Sequence, residues 1–226
     1  MLTDFSNRTA LKSALGYSLL IFVLWIVYVA AVYPSVERNP SLPQRVLLNE
    51  LIRFGIFVAP VLLYLKFIAC QEPFRYLKLN TNVSCGVLWG VIVGIIYAAL
   101  VLAWASLFLP SGVVFKPVPL EAWLTSLTVS TLIEEIAFRG FLLQQLERVV
   151  NFWMANLLTA CLFVAIHFPG WFLSSGATLV SGKLIAMAEI LLLGLLLGHL
   201  FKRTGSLWSC FILHAANNSA AIILFG

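Results

Sequence analysis

Charged side chains are scarce in this sequence, and their scarcity limits the class of protein. Only 10% of the 226 residues are charged, whereas 62% are hydrophobic. This balance is typical of polytopic membrane proteins and excludes an ordinary soluble domain. The net charge of +5 does not indicate nucleic-acid binding, because the basic residues lie mostly in short loops, where they set membrane orientation. We therefore expect the lipid bilayer, and no nucleic acid, as a partner.

Patterns typical of metal sites are missing as well. The sequence has no His-Glu-x-x-His pair, which would place two zinc ligands on one helix. It also has no Cys-x-x-Cys pair. Its four cysteines lie in or beside apolar runs, which predicts small buried hydrophobic side chains; they are Cys70, Cys85, Cys161 and Cys210.

Long apolar runs, in contrast, recur along the whole chain. Lipid offers backbone groups no hydrogen-bond partner and no run alternates as a β-barrel strand does, so helices are expected. The first run is too long for the apolar region of a signal peptide, and we interpret it as a retained span. The sequence predicts an all-α fold, a polytopic transmembrane helix bundle in one membrane domain over 1–226. Its seven spans lie at roughly 13–33, 47–69, 84–109, 122–146, 152–167, 184–201 and 207–225.

Basic residues set the expected orientation of these spans. With the N-terminus inside, eight of the 14 lysines and arginines fall on inner segments and five on outer segments or span ends. Arg139 stays within the membrane. This bias favours a cytoplasmic N-terminus in a multi-pass protein of the cell membrane.

Glycine and proline predict how the spans pack and end. Stripes of glycine at four-residue intervals in span three and at Gly194 and Gly198 in span six allow close helix approach. Pro169-Gly170 is expected to end the helix of span five, and Gly205 to supply the turn before span seven. The stripe in span three consists of Gly86, Gly90 and Gly94.

Three charges interrupt the fourth apolar run. Glu134, Glu135 and Arg139 lie near its middle, where each charge costs roughly 2.5–3.5 kcal/mol on insertion scales. Glu135 and Arg139 are four residues apart and can pair on one helix face. Glu134 points about 100° away from Glu135. One carboxylate can therefore be neutralised while the other is available for chemistry. In span two, Glu50 and Arg53 predict a local ion pair at the membrane border.

Two further polar clusters interrupt apolar spans. His167 ends span five, and His214 lies four residues before Asn218 in span seven. Each has a structural explanation when taken alone, because histidine and asparagine often form hydrogen bonds between membrane helices. Together with the charges of span four, they predict one hydrated cavity. A carboxylate there could activate water, and histidine and amide groups could stabilise an oxyanion.

The three polar clusters together resemble the motif set of a known family, the CAAX protease and bacteriocin-processing family of intramembrane endopeptidases, which includes the Rce1-type prenyl-protein endoproteases. They read Glu134-Glu135-x-x-x-Arg139, Phe163-x-x-x-His167 and His214-x-x-x-Asn218. The resemblance covers about 131–218 and places a catalytic core at 122–225. It implies that Glu134 activates water with His167 as its partner, and that His214 and Asn218 form the oxyanion site. Arg139 would hold Glu135, and with it the helix, in register.

The resemblance implies a peptide hydrolase that cleaves near the terminus of a membrane-associated or exported protein or peptide. We favour a metal-free glutamate mechanism without a cofactor. A divalent metal such as zinc stays open, because Glu134, His167 and His214 could supply three ligands. Two other classes also stay open. The ionisable residues could form a relay in a proton- or ion-coupled transporter, or the chain could be a catalytically idle immunity-type scaffold that binds a peptide.

Overall fold

The computed structural model describes residues 2–108, 118, 120, 123, 129–174 and 180–225. Within these ranges the chain forms helices and no strands, so the prediction of an all-α fold is confirmed. The α-helices are α1 Leu2–Val27, α2 Tyr33–Glu37, α3 Leu42–Phe57, α4 Ala59–Leu63, α5 Pro73–Tyr76, α6 Val83–Phe108, α7 Val129–Glu135, α8 Gln144–Leu146, α9 Phe152–Ala165, α10 Val180–Thr204 and α11 Leu207–Phe225. In the described residues, four π-helical segments interrupt or extend them, namely π1 Tyr28–Val32, π2 Tyr64–Ile68, π3 Ile136–Leu143 and π4 Gly170–Ser174.

Six helical stretches among the described residues are long and apolar enough to cross a membrane. They match six of the seven predicted spans, and the chain is a multi-pass membrane protein. The predicted fourth span is described continuously only from residue 129 onward, so its first part lies outside the described residues. The six stretches are Asn7–Glu37, Leu42–Ile68, Val83–Leu107, Phe152–Leu173, Gly182–Thr204 and Leu207–Leu224.

The glycine stripes lie at close contacts between helices. A Cβ atom added at Gly90 of α6 would lie 3.0 Å from the Cβ of Ile212 and 3.1 Å from the Cα of Ser209, both on α11. A Cβ added at Gly194 of α10 would lie 3.0 Å from the Cβ of Ala160 on α9. Any larger side chain at these positions would push the helices apart, so the prediction of close packing is confirmed.

The most enclosed element is π3, whose eight residues are all buried. The ring of Phe141 meets Tyr17 of α1 edge-on with centroids 5.0 Å apart, and Phe138 meets Phe163 of α9 at 5.1 Å. The π-helical geometry widens the helix and recurs at functional sites in proteins. Because π3 directly follows Glu135, this packing fixes where both glutamates of the motif lie.

The loop between the second and third spans is tied to the turn that begins α11. The backbone N–H of Leu207 donates to the carbonyl of Lys78 at 3.1 Å, and the indole of Trp208 donates to the carbonyl of Leu79 at 2.8 Å. Gly205 has a φ of 61°, which glycine adopts without a steric penalty. The predicted turn at Gly205 is therefore confirmed.

The helical path of span five continues past Pro169, contrary to the prediction. The helix α9 ends at Ala165, a turn follows at residues 166–167, and helical geometry then resumes and leads into π4. The N–H of Trp171 donates to the carbonyl of His167 at 3.1 Å. Pro169 lies in the first turn after the break, where its missing N–H has no helical partner to lose. The break therefore precedes the proline.

The cysteines depart from the prediction of burial. Cys210 is buried, whereas Cys70, Cys85 and Cys161 are exposed. Cys85 and Cys161 lie in membrane-crossing stretches, so their exposed side chains face outward from the bundle. A small apolar side chain suits a lipid-facing surface as well as a core, and its apolar context in the sequence does not separate the two.

Candidate active site

The carboxylate of Glu135 is fully buried and has two partners on one oxygen. Nη1 of Arg139 donates to Oε1 at 2.9 Å, and Nδ1 of His214 lies 2.8 Å from the same atom. The side chains of Glu135 and Arg139 are 0% and 1% exposed. The predicted ion pair within span four is therefore confirmed, and the histidine of span seven is joined to it.

The guanidinium group of Arg139 connects the motif helix to two neighbouring helices. Its Nη2 donates to the carbonyl of Gly194 on α10 at 3.3 Å, and its Cζ lies 4.5 Å from the ring centroid of Phe163 on α9. A planar guanidinium can donate in its plane and stack on an aromatic face at the same time, which an ammonium group cannot do. Arg139 thus fixes the relative positions of three helices around the two glutamates.

Glu134 is less enclosed than Glu135 and lies between a cation and an imidazole. Nη2 of Arg53 on α3 donates to its Oε1 at 2.5 Å, while Nε2 of His214 lies 3.9 Å from its Oε2. The side chain of Glu134 is 16% exposed. The two adjacent carboxylates therefore differ as the sequence predicted, since only Glu134 retains contact with open space.

Arg53 is a member of this site that the sequence did not predict. The expected local ion pair with Glu50 is wrong, because each residue has another partner: Glu50 accepts a hydrogen bond from the hydroxyl of Ser130, and Arg53 reaches Glu134. Ser130 and Glu134 both belong to α7, so Glu50 and Arg53 of α3 face α7 instead of each other. The signal that could have found Arg53 is its position within an apolar span, where an ionisable side chain is a functional candidate by default.

Trp25 of the first span completes the surroundings of Arg53. The Cζ of Arg53 lies 5.5 Å from the indole ring centroid of Trp25, within range of a cation–π interaction. The indole N–H donates to the carbonyl of Ile166 at 2.9 Å, next to His167. One tryptophan therefore connects the cation that contacts Glu134 to the chain end of α9.

Phe163 orients both histidines of the motif set. Its ring meets that of His167 at 5.2 Å and that of His214 at 5.6 Å between centroids, at interplanar angles of 89° and 90°. Nδ1 of His167 lies 2.8 Å from the carbonyl of Phe163. In the neutral imidazole this contact places the proton on Nδ1 and leaves the lone pair on Nε2. His167 is thereby held against the same ring as His214, whose Nε2 lies 3.9 Å from Glu134.

Asn218 lies beside the same helix as the glutamates. Its Nδ2 donates to the hydroxyl of Thr131 at 3.2 Å, one turn before Glu134. Its neighbour Asn217 accepts a hydrogen bond from the hydroxyl of Tyr97 at 2.7 Å. The structure thus connects Asn218 to α7 through Thr131.

Residues 116–220 match the family model described as type II CAAX prenyl endopeptidase Rce1-like. The matched range contains all six predicted site residues. We call this matched range the Rce1-like domain. No curated protein and no solved structure matches the chain. The match confirms the resemblance to the CAAX protease and bacteriocin-processing family, and it supports a CAAX-type intramembrane endopeptidase in general terms.

The contact between Arg53 and Glu134 crosses the boundary of the Rce1-like domain. Arg53 and Trp25 both precede residue 116, whereas Glu134 and Ile166 lie within the matched range. The polar site is therefore assembled from the Rce1-like domain and from the first two membrane-crossing stretches of the chain.

The site as arranged does not fit a zinc ion. Among the residues that the structure describes, no group of three His, Cys, Asp or Glu side chains is placed to hold a metal. Oε1 of Glu134 accepts from Arg53, whose positive charge would repel a metal at this carboxylate. The set of Glu134, His167 and His214 does not form a ligand cluster here.

Proposed function

We propose that this protein is an intramembrane endopeptidase in which Glu134 activates the hydrolytic water. The observation that carries the proposal is the difference between the two adjacent carboxylates. Glu135 is closed off by Arg139 and His214, whereas Glu134 keeps Oε2 within 3.9 Å of an imidazole nitrogen and has a partly exposed side chain. A general base needs access to the water from which it takes the proton.

In the proposed reaction, Oε2 of Glu134 takes a proton from water while the water oxygen attacks the carbonyl carbon of the peptide. Nε2 of His167 accepts a hydrogen bond from the same water and orients it. The resulting tetrahedral oxyanion accepts a hydrogen bond from Nε2–H of His214, which carries a proton on each ring nitrogen in this step, and one from Asn218, whose amide exchanges Thr131 for the oxyanion. The proton then moves to the leaving nitrogen as the C–N bond breaks, giving a new carboxylate and a new amine.

The pair formed by Arg139 and Glu135 has a positioning role in this proposal. Glu135 accepts from Nδ1 of His214, which turns Nε2 of that ring toward Glu134 and the substrate. Arg139 neutralises Glu135 inside the bundle, where an unpaired charge would be very costly. The substrate is a membrane-associated or exported protein or peptide, cleaved near one terminus.

Arg53 is a positioning residue for Glu134. Replacing it with glutamine is expected to lower kcat by about 100-fold with little change in KM, because a misplaced catalytic group costs about that much. Lysine at the same position keeps the charge without the planar fork and should restore part of the rate. Arg45, on the same helix, donates to the carbonyl of Asn39, so Arg45→Gln serves as the matched control. Equal losses of kcat in Arg53→Gln and Arg45→Gln would contradict this role.

The proposed function is tested with purified protein in liposomes and a library of membrane-tethered peptides. Mass spectrometry of the products should show cleavage at one peptide bond near a terminus, and cleavage should persist in excess EDTA. Proton flux across the liposomes without cleavage would favour the transporter instead. Comparing protein termini in membranes of cells with and without this chain would identify the natural substrate.

A further inference from the structure

A second polar cavity lies apart from the catalytic motifs, where the loop between the second and third spans meets the end of the motif helix. Its volume is about 430 Å³, and Arg75, Lys78 and Arg148 line it together with Tyr76 and Gln144. None of these residues belongs to the site proposed for proteolysis. Their chemistry therefore needs its own explanation.

The charges of this cavity are not balanced within the protein. Its one carboxylate, Glu72, accepts hydrogen bonds from the backbone N–H groups of Phe74 at 3.0 Å and Arg75 at 2.6 Å, where it caps α5. In the described part of the chain, Arg75, Lys78 and Arg148 form no ion pair with a carboxylate. In the described structure, three cations thus share one concave surface with a single carboxylate, which is engaged in capping α5.

The walls of the cavity are held in place by backbone contacts. Lys78 has a φ of 58°, and its carbonyl accepts from Leu207 at 3.1 Å. The side-chain amide of Gln144 donates to the carbonyl of Tyr76 at 2.9 Å, and the Cζ of Arg148 lies 5.6 Å from the centroid of the Tyr76 ring. The cations are therefore attached to an ordered frame and do not form a loose surface cluster.

Tyr76 supplies an unused donor in the same place. Its hydroxyl is buried and has no hydrogen-bond partner among the described residues. Burial raises the pKa of Tyr76 above its ordinary value, an effect that the nearby charge of Arg148 partly offsets, so the hydroxyl keeps its proton at neutral pH. A buried hydroxyl without a partner is unfavourable, and a ligand with acceptor oxygens would satisfy it.

The surroundings of the cavity fit the edge of a bilayer. The preceding membrane-crossing stretch ends at Ile68 and the next begins at Val83. Beside the cations, Phe67, Ile68 and Phe74 are 67%, 72% and 59% exposed. Apolar side chains next to basic ones are the arrangement that contacts acyl chains and anionic headgroups together.

We propose that this cavity binds the phosphate group of an anionic phospholipid through Arg75, Lys78, Arg148 and the Tyr76 hydroxyl. A phosphate offers several acceptor oxygens to donors that arrive from different directions, and arginine matches its geometry in particular. A free phosphate carries the same group without acyl chains. The exposed side chains of Phe67, Ile68 and Phe74 favour the lipid as its source.

Thermal unfolding of the purified chain in detergent micelles tests the proposal. Added phosphatidylglycerol should raise Tm with a saturable dependence on concentration, and phosphatidylcholine should not. The double variant Arg75→Gln/Arg148→Gln should weaken the apparent affinity by about tenfold or more, since charged hydrogen bonds are lost. Tyr76→Phe should weaken it by about threefold to fivefold without any change in charge.

The matched control is Lys202→Gln/Arg203→Gln, which removes two cations whose contacts lie elsewhere, with Glu147 and His199. A control variant that weakens binding as much as the double variant would overturn the proposal, because it would show diffuse attraction. Equal stabilisation by phosphatidylcholine, or unchanged affinity in Tyr76→Phe, would also overturn it. Glycerol 3-phosphate distinguishes a free phosphate group from the phosphate of a lipid. If it raises Tm, the phosphate group suffices for binding. If only phosphatidylglycerol raises Tm, the acyl chains are needed as well. Neither arm depends on proteolysis.

Discussion

Glu134→Gln is expected to lower kcat by about 10²- to 10⁴-fold, the range that a positioned general base contributes. Glutamine has the shape of glutamate and can still accept a hydrogen bond from Arg53 through its carbonyl oxygen, so the site should keep its geometry. It cannot take a proton from water. Single-turnover cleavage of a cognate peptide by the purified variant measures the loss.

The matched control for this substitution is Glu147→Gln. Glu147 pairs with Lys202 at 2.6 Å outside the catalytic motifs. Ion pairs that are exposed to solvent contribute little to stability. The cleavage rate of Glu147→Gln should stay close to that of the unaltered protein. Unchanged cleavage by Glu134→Gln, in protein with an unaltered Tm, would contradict the assignment of Glu134 as the general base.

Arg139→Met is expected to lower the free energy of unfolding by about 3–5 kcal/mol, the usual cost of removing one partner of a buried ion pair. The carboxylate of Glu135 is 0% exposed, so water cannot replace the lost guanidinium. Its Oε2 already has no hydrogen-bond partner among the described residues. Methionine fills much of the volume of arginine, which limits the contribution of a cavity to the loss.

Neutralising the partner as well separates stability from activity. Glu135→Gln/Arg139→Met should recover much of the free energy of unfolding, because no buried charge is left unpaired. It should not recover cleavage, because His214 then faces a neutral amide in place of a carboxylate. Equilibrium unfolding in mixed micelles and the peptide assay measure the two quantities. If Arg139→Met alone unfolds at the same denaturant concentration as the unaltered chain, the pair is not isolated from water as the structure shows.

The parts of the site that follow from helix geometry could be predicted from the sequence. The contact between Glu135 and Arg139 needed only their four-residue spacing, and the close approach of α6 to α11 needed only glycines at the same interval. Both rules act within one helix or on one helix face. Both rules apply regardless of how the other helices of the bundle are arranged.

The contact between Arg53 and Glu134 could not be predicted in this way. The two residues are 81 positions apart, and no periodic pattern connects them. The three-residue spacing of Glu50 and Arg53 favoured a local pair, and this interpretation failed because Ser130 offers Glu50 a hydroxyl donor. A choice between a local and a distant partner depends on which helix packs alongside, which tertiary structure alone decides.

Because Arg53 contacts Glu134, the proposed activity should require more of the chain than the Rce1-like domain. A fragment limited to residues 116–220 would present Glu134 without its counter-ion and the end of α9 without the indole of Trp25. The family model covers the part of the chain that carries the motifs, whereas the contacts of the site extend back to the first two membrane-crossing stretches. A fragment cut to the Rce1-like domain therefore lacks Arg53 and Trp25, although it contains every residue of the three motifs.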